Sequence, residues 1–209
     1  MENHSIWVLR RPAESRSFAI GRPAAADGQG PGSRRITHEI KNRLMKIGIF
    51  YGSTTGATET VAADVAAALG VAETDVHNVG STTVDATAPY DVLLLGSSTW
   101  GCGDLQDDWY DFLDALKATD LSGKRVGLFG CGDSASYPDT FCGALGQIYD
   151  ALQSTGCTFI GAFEPTDYDV TDSDVCRDGR FVGLAVDESA PELTESRLAR
   201  WCELIRQEA

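Results

Sequence analysis

Residues 50–62 read FYGSTTGATETVA. Ser53, Thr54, Thr55 and Thr58 place four hydroxyls within six positions around Gly56, and no Lys or Arg interrupts them. A loop of this kind between a strand and a helix turns backbone N–H groups outward at a helix N-terminus. A partial positive charge gathers there, and the hydroxyls add neutral hydrogen bonds to an anion. Gly56 permits close backbone approach and positive φ. A helix cap, with Ser53 or Thr55 as N-cap and Glu59 as reciprocal partner, would explain one hydroxyl but not four. Other phosphate motifs fail on spacing. A Walker loop needs Gly-Lys-Ser/Thr, and Gly56 is followed by Ala57; Gly52 and Gly56 do not fit GxGxxG. With no Lys and no metal ligand to stabilise phosphoryl transfer, the loop is expected to anchor a phosphate rather than cleave it.

Two further loops carry aromatic residues. GSSTWGCGDLQDDW (96–109) sets Trp100 between Thr99 and Gly101, where glycine leaves the ring little local cover. FGCGDSASYPDTFCGAL (129–145) sets Gly130, Gly132 and Asp133 before Tyr137. Cys131 invites a phosphatase reading, but Cys-x5-Arg would require Arg at 137, and that residue is Tyr137. A phosphate anchor beside an aromatic on each of two loops suits a flat aromatic ligand with a phosphorylated tail. FMN is such a ligand, and stacking would contribute roughly 0.5–1.5 kcal/mol per ring face beyond burial.

The elements that must position these loops alternate in type. KIGIFY (46–51), DVHNV (75–79), DVLLLG (91–96), RVGLFG (125–130) and CTFIGAF (157–163) are apolar enough for strands buried on both faces. Helical spacing of apolar residues predicts helices over 57–69, 104–118, 141–152 and 193–206. Strands alternating with helices imply a parallel sheet covered on both sides. Its ligands lie beyond the carboxyl ends of the strands, where the winding reverses. The loops after strands one, three and four are therefore where chemistry is expected. A polar, Asp-rich stretch interrupts strand five before FVGLAVD (181–187) resumes it. His77, alone in strand two, is read as structural.

Composition limits the function classes. Of 17 Lys/Arg and 31 Asp/Glu, residues 1–44 hold eight and four; nine and 27 remain for 45–209, a net charge of −18. So acidic a domain argues against nucleic acid and anionic membranes, and for basic protein partners. No apolar run approaches the ~20 residues of a membrane helix. The six cysteines form no CxxC pair and no zinc spacing, so they are expected to be reduced thiols in a cytoplasmic protein. Residues 1–44, rich in Gly, Pro, Ala and Arg, are expected to be a disordered or over-extended segment, because Met45 immediately precedes the first strand.

In order across 45–209, GIFYGSTTGATETVA, LLLGSSTWGCGDLQDDW, LFGCGDSASYPDTFCGAL and FVGLAVDE resemble the flavodoxins. EPTDYDVTDSDVCRDGRFVGLAVDE resembles the loop that interrupts strand five in their long-chain subgroup. The resemblance implies an α/β flavodoxin-like fold, a doubly wound five-stranded parallel sheet in the order 2-1-3-4-5, with helices on both faces and a loop inserted in strand five. It implies non-covalent FMN, with Ser53, Thr54, Thr55, Gly56, Ala57 and Thr58 as the phosphate loop. Trp100 would cover the inner face of the ring and Tyr137 the outer. Thr99, Gly101, Cys131, Gly132 and Asp133 would meet the ring edge and ribityl chain, and Ser98, Cys102, Thr140 and Asp167 complete the set. In the family the peptide corresponding to Gly101–Cys102 flips on reduction, which glycine tolerates with little strain.

The implied function is a low-potential one-electron carrier, monomeric and not an enzyme. Its implied partners are basic-faced redox proteins such as ferredoxin/flavodoxin–NADP reductase. The uncharged loop and the acidic domain would disfavour further negative charge on the flavin, and each ~1.4 kcal/mol of such disfavour lowers a one-electron potential by about 59 mV. The alternative is an FMN-dependent NAD(P)H:quinone reductase on the same fold, although no nicotinamide site is visible in the sequence. A cofactor-free binding module, with the aromatics as packing, is the third reading.

Overall fold

The computed structural model describes residues 45–209, and the expectation for residues 1–44 lies outside them. Strand β1 (Ile47–Gly52) leads into α1 (Ala57–Leu69), followed by β2 (Val76–Asn78) and the long β3 (Val92–Trp100). After a short β4 (Asp104–Leu105) come α2 (Trp109–Lys117), β5 (Arg125–Gly132), α3 (Gly143–Leu152) and β6 (Thr158–Ile160). The chain ends with β7 (Cys176–Arg177), β8 (Arg180–Phe181), β9 (Leu184–Asp187) and α4 (Thr194–Glu208).

The sheet runs β2-β1-β3-β5-β6, all parallel. Because β4 is a small extra strand, this is the expected 2-1-3-4-5 order. Val92–Leu95 of β3 are wholly buried at its centre, as strands covered on both faces should be. Helix α1 packs against α4 and α2 against α3, which places a helix pair on each face. Strand five is split as expected. β6 pairs with the first half of β5 (Arg125–Gly127), and β9 pairs with its second half (Phe129–Gly132).

The intervening loop folds back on the sheet rather than extending from it. Its β7–β8 hairpin bridges to Phe163 through Phe181, and the Tyr168 hydroxyl donates to the carbonyl of Ala185 at 2.6 Å. The Arg197 guanidinium lies 3.6 Å over the Tyr168 ring. At the other edge His77 is indeed structural: it stacks on Phe50 (centroids 4.8 Å apart), and its Nε2 is 2.7 Å from the Tyr90 hydroxyl.

One helix boundary needs correction. Residues 104–118 do not form one helix. Leu105 belongs to β4, antiparallel to the end of β3, and α2 begins only at Trp109. The reversal at Gly101 and Gly103, with φ of 52° and 100°, turns the chain back onto β3 before the helix can start.

Candidate functional site

The hydroxyl-rich loop leaves β1 at Ser53 and enters α1 through Gly56, whose φ of 92° and ψ of −7° only glycine holds without strain. No side chain caps this helix. Ser53 Oγ instead accepts the Gly56 N–H at 3.1 Å, which shapes the loop itself, and Glu59 accepts from the Tyr51 hydroxyl at 3.0 Å rather than closing a capping box. The cap explanation therefore fails, and the first-turn N–H groups of α1 stay without intrahelical partners at the loop surface. Thr54 and Thr55 are exposed, whereas Thr58 is fully buried with its hydroxyl 3.9 Å from Cys131 Sγ.

The second loop is held by strand pairing. Thr99 and Trp100 lie opposite Leu105 and Asp104, and Trp100 Nε1–H donates to Ser98 Oγ at 3.0 Å. Buried Gln106 joins this loop to the first. Its Nε2 donates to Thr54 Oγ1 (3.3 Å) and Asp108 Oδ2 (2.9 Å), while its Oε1 accepts the Asp108 N–H. The third loop is wound by Asp133, whose Oδ1 accepts the N–H groups of Ala135 and Ser136, both at 3.0 Å. The Tyr137 N–H then donates to the Asp133 carbonyl at 3.0 Å. The bonds from Ser136 hold the Asp133 carboxyl below the usual carboxylate range, so it is charged at neutral pH.

These loops enclose a cavity of about 290 Å³ beyond the carboxyl ends of β1, β3 and β5. Thr55 lines it from the first loop, Ser98, Thr99, Trp100 and Gly101 from the second, and Cys131, Gly132, Asp133, Tyr137 and Thr140 from the third. Trp100 is 44% exposed and Tyr137 58%. Neither ring is core packing. Thr54 and Trp100 also border a smaller hollow with Asp107. Ser53, Gly56 and Ala57 shape the first loop without lining the cavity, and exposed Cys102 stands outside it.

Asp167 requires a correction. It does not line the cavity. Its carboxylate is engaged by Arg197 (3.5 Å) and Arg200 (2.7 Å) of α4, which ties the inserted loop to the last helix. The sequence reading also missed Phe141, Cys142 and Glu188, all cavity-lining. Glu188 was within reach of the rule used for the other loops, because β9 completes strand five and Glu188 follows its carboxyl end.

The cavity floor is uncharged. Burial pushes the Cys131 thiol up to about 11 and raises Cys142 well above its ordinary value, so neither supplies a thiolate at neutral pH. Asp187, buried at the end of β9, behaves oppositely. Burial alone would raise its pKa, but hydrogen bonds from Ser134 and Ser189 outweigh burial and hold it below the usual range. A folded value below the unfolded one contributes stability that is complete above about pH 4 and is lost as pH falls through the folded value. Urea midpoints followed from pH 5 downward should therefore fall less steeply in Asp187→Asn than in the parent. Parallel acid limbs would count against this role.

Known proteins match the same architecture. The family model described as Flavodoxin matches residues 49–201. Flavodoxin 1 of Escherichia coli (strain K12) is 42% identical over 163 residues, covering 77% of this chain and 93% of the relative. The flavodoxin of Picosynechococcus sp. (strain ATCC 27264 / PCC 7002 / PR-6) is 39% identical over 160 residues, covering 76% and 94%. Among solved structures, Fusobacterium nucleatum flavodoxin bound to flavin mononucleotide superposes with a TM-score of 0.71 at 28% identity, covering 79% of this chain and 99% of that one.

The chain belongs to the flavodoxin family. Its fifth strand is interrupted, and its three loops converge at the switch point where the strand order reverses, between β1 and β3. Among the described residues no group of His, Cys, Asp and Glu is arranged to hold a metal ion, and no helix is long and apolar enough to cross a membrane. All six cysteines are free thiols.

Proposed function

We propose that this chain binds one FMN non-covalently and carries single electrons at low potential between redox proteins of the cytoplasm. One observation carries the reading: two half-exposed aromatic rings, Trp100 and Tyr137, line one cavity that also reaches Thr55 of a helix-start loop free of any side-chain cap. The residues present fit FMN. The first-turn N–H groups of α1, with the hydroxyls of Thr54 and Thr55, would hold a terminal phosphate. Trp100 and Tyr137 would take the two faces of the ring. Gly101, in the left-handed region, would let the following peptide present either its N–H or its carbonyl to the ring edge.

Bound there, FMN supplies one-electron chemistry; the chain orients the cofactor, excludes water from the ring and sets the local charge. The floor thiols are neutral, and the fixed charges at the rim, Asp133 and Glu188, are negative. Both disfavour adding negative charge to the ring, which supports a low potential. The acidic surface would steer basic-faced partners such as a ferredoxin/flavodoxin–NADP reductase. An FMN-dependent quinone reductase on the same fold is the alternative reading.

Titration of the cofactor-free protein with FMN should quench Trp fluorescence at a stoichiometry of about one, with the affinity of a preformed site. A colourless protein indifferent to FMN would leave only a binding module. Steady NADPH oxidation by the FMN-loaded protein would favour the reductase.

A further inference from the structure

Asp187 ends β9 and is 4% exposed, yet no lysine or arginine answers its charge among the described ion pairs. Its partners are neutral donors. Oδ1 accepts the backbone N–H groups of Ser134 and Ser189, both at 3.1 Å, and the Ser189 hydroxyl at 2.7 Å. Oδ2 accepts the Ser134 hydroxyl at 2.6 Å, and the two hydroxyls are themselves 3.1 Å apart. Beside it the Glu188 N–H donates to the Gly132 carbonyl at 2.8 Å. The bonds to Ser189 fix the turn after β9, and those to Ser134 and Gly132 cross to the start of the 133–140 loop.

From Ser134 the hydrogen bonds continue. Asp133 Oδ1 gathers the N–H groups of Ala135 and Ser136, and the Asp133 carbonyl receives the Tyr137 N–H. The Tyr137 ring has no comparable support, because residues 135–139 are all exposed. Apolar packing therefore does not set where this ring stands. Polar bonds are what connect the loop to the sheet, and Asp187 and Ser134 are the buried residues among them. Burying an ionised carboxylate is costly unless its oxygens are well supplied with donors, so its presence here marks a geometry that needs several donors gathered at one point.

We infer that Asp187 is a positioning residue for Tyr137, anchoring the 133–140 loop to the end of the sheet so that the ring faces Trp100 across the cavity. The consequence for FMN rests on the function proposed above; the anchoring itself does not. Asp187→Ala leaves the Ser134 and Ser189 N–H groups without their acceptor and frees the loop. Asp187→Asn keeps the three bonds on Oδ1, and rotation of the Ser134 hydroxyl lets it accept the new N–H. The side-chain amide therefore rescues the geometry.

Hydrogen exchange of the full-length chain without FMN tests this directly. In Asp187→Ala the amides of Ser134, Ser136 and Tyr137 should exchange at least ~10-fold faster, while those of β1 and β3 keep their rates. Asp187→Asn should keep the parent's rates at the same amides. Should the alanine variant fail to fold, the Ser134→Ala/Ser189→Ala pair, which removes both hydroxyls, should give about a threefold rise confined to the loop. Parent-like exchange of the loop in Asp187→Ala or in the serine pair overturns the inference, as does a uniform rise across β1, β3 and the loop. With FMN added, Asp187→Ala should raise the dissociation constant about 10-fold, equivalent to about 1.4 kcal/mol. A parent chain that ignores FMN would refute the proposed function while leaving the exchange result to stand.

Discussion

Gly130→Ala is expected to lower the unfolding free energy by about 3 kcal/mol and to loosen the cavity at the same time. Gly130 pairs with Ser97 of β3 on one side and Ala185 of β9 on the other, one residue short of the cavity. A Cβ built there would sit 2.2 Å from the Ser97 carbonyl oxygen and 3.0 Å from Leu145 Cδ2. The leucine can rotate, but the carbonyl is backbone of the central strand and can yield only if β3 and β5 part. Those strands end in the loops bearing Trp100 and Tyr137, so the space is made at the site's expense. Against a total stability of about 5–15 kcal/mol the loss is large.

Gly179→Ala is the control. Gly179 has a φ of 77° and open space around its Cβ position, so alanine there meets only the left-handed strain of about 1–2 kcal/mol. Urea denaturation should rank the midpoints parent, Gly179→Ala, Gly130→Ala. Equal midpoints for the two variants would show that β3 and β5 separate more easily than their register suggests.

What could be read in the sequence was whatever local periodicity and residue chemistry determine. Helix α1 runs over the 57–69 span that Val61, Ala62, Val65 and Leu69 mark out, and the apolar strands fall in the expected order. Trp100 and Tyr137 could be picked out because an aromatic beside glycines or in a polar loop has few local neighbours to bury it. What stayed hidden depends on pairing across the chain. Leu105 fits the helical phase of Trp109, Phe112 and Leu116, so nothing local shows that it pairs with Thr99 instead. Asp167 sits among other acids, and its commitment to Arg197, thirty residues on, is a tertiary fact. Arg197 itself looks like an ordinary helix-surface charge but is 1% exposed. Gln106 shows the same limit. It is an unremarked amide in the sequence and the link between two site loops in the structure.

Tyr137→Ala should weaken FMN binding about 10- to 100-fold and raise the lower of the two one-electron potentials by roughly 50 mV. The affinity loss combines the stacking contribution of about 0.5–1.5 kcal/mol with the apolar area the ring would no longer cover. The change in potential has a separate cause. A ring face opened to water sits in a higher dielectric, where the most negative state of the cofactor is better solvated and the rim charge of Asp133 is more strongly screened. Each ~1.4 kcal/mol gained by that state relative to the one before it is worth about 59 mV. Tyr137→Phe separates the contributions, because it keeps the stack and removes only a hydroxyl. It should bind FMN within about threefold of the parent and leave the potential close to unchanged. The measurement is an anaerobic spectroelectrochemical titration of all three proteins. A parent-like potential in Tyr137→Ala would mean that water already reaches that face of the ring, and the outer stacking role would then belong to another residue.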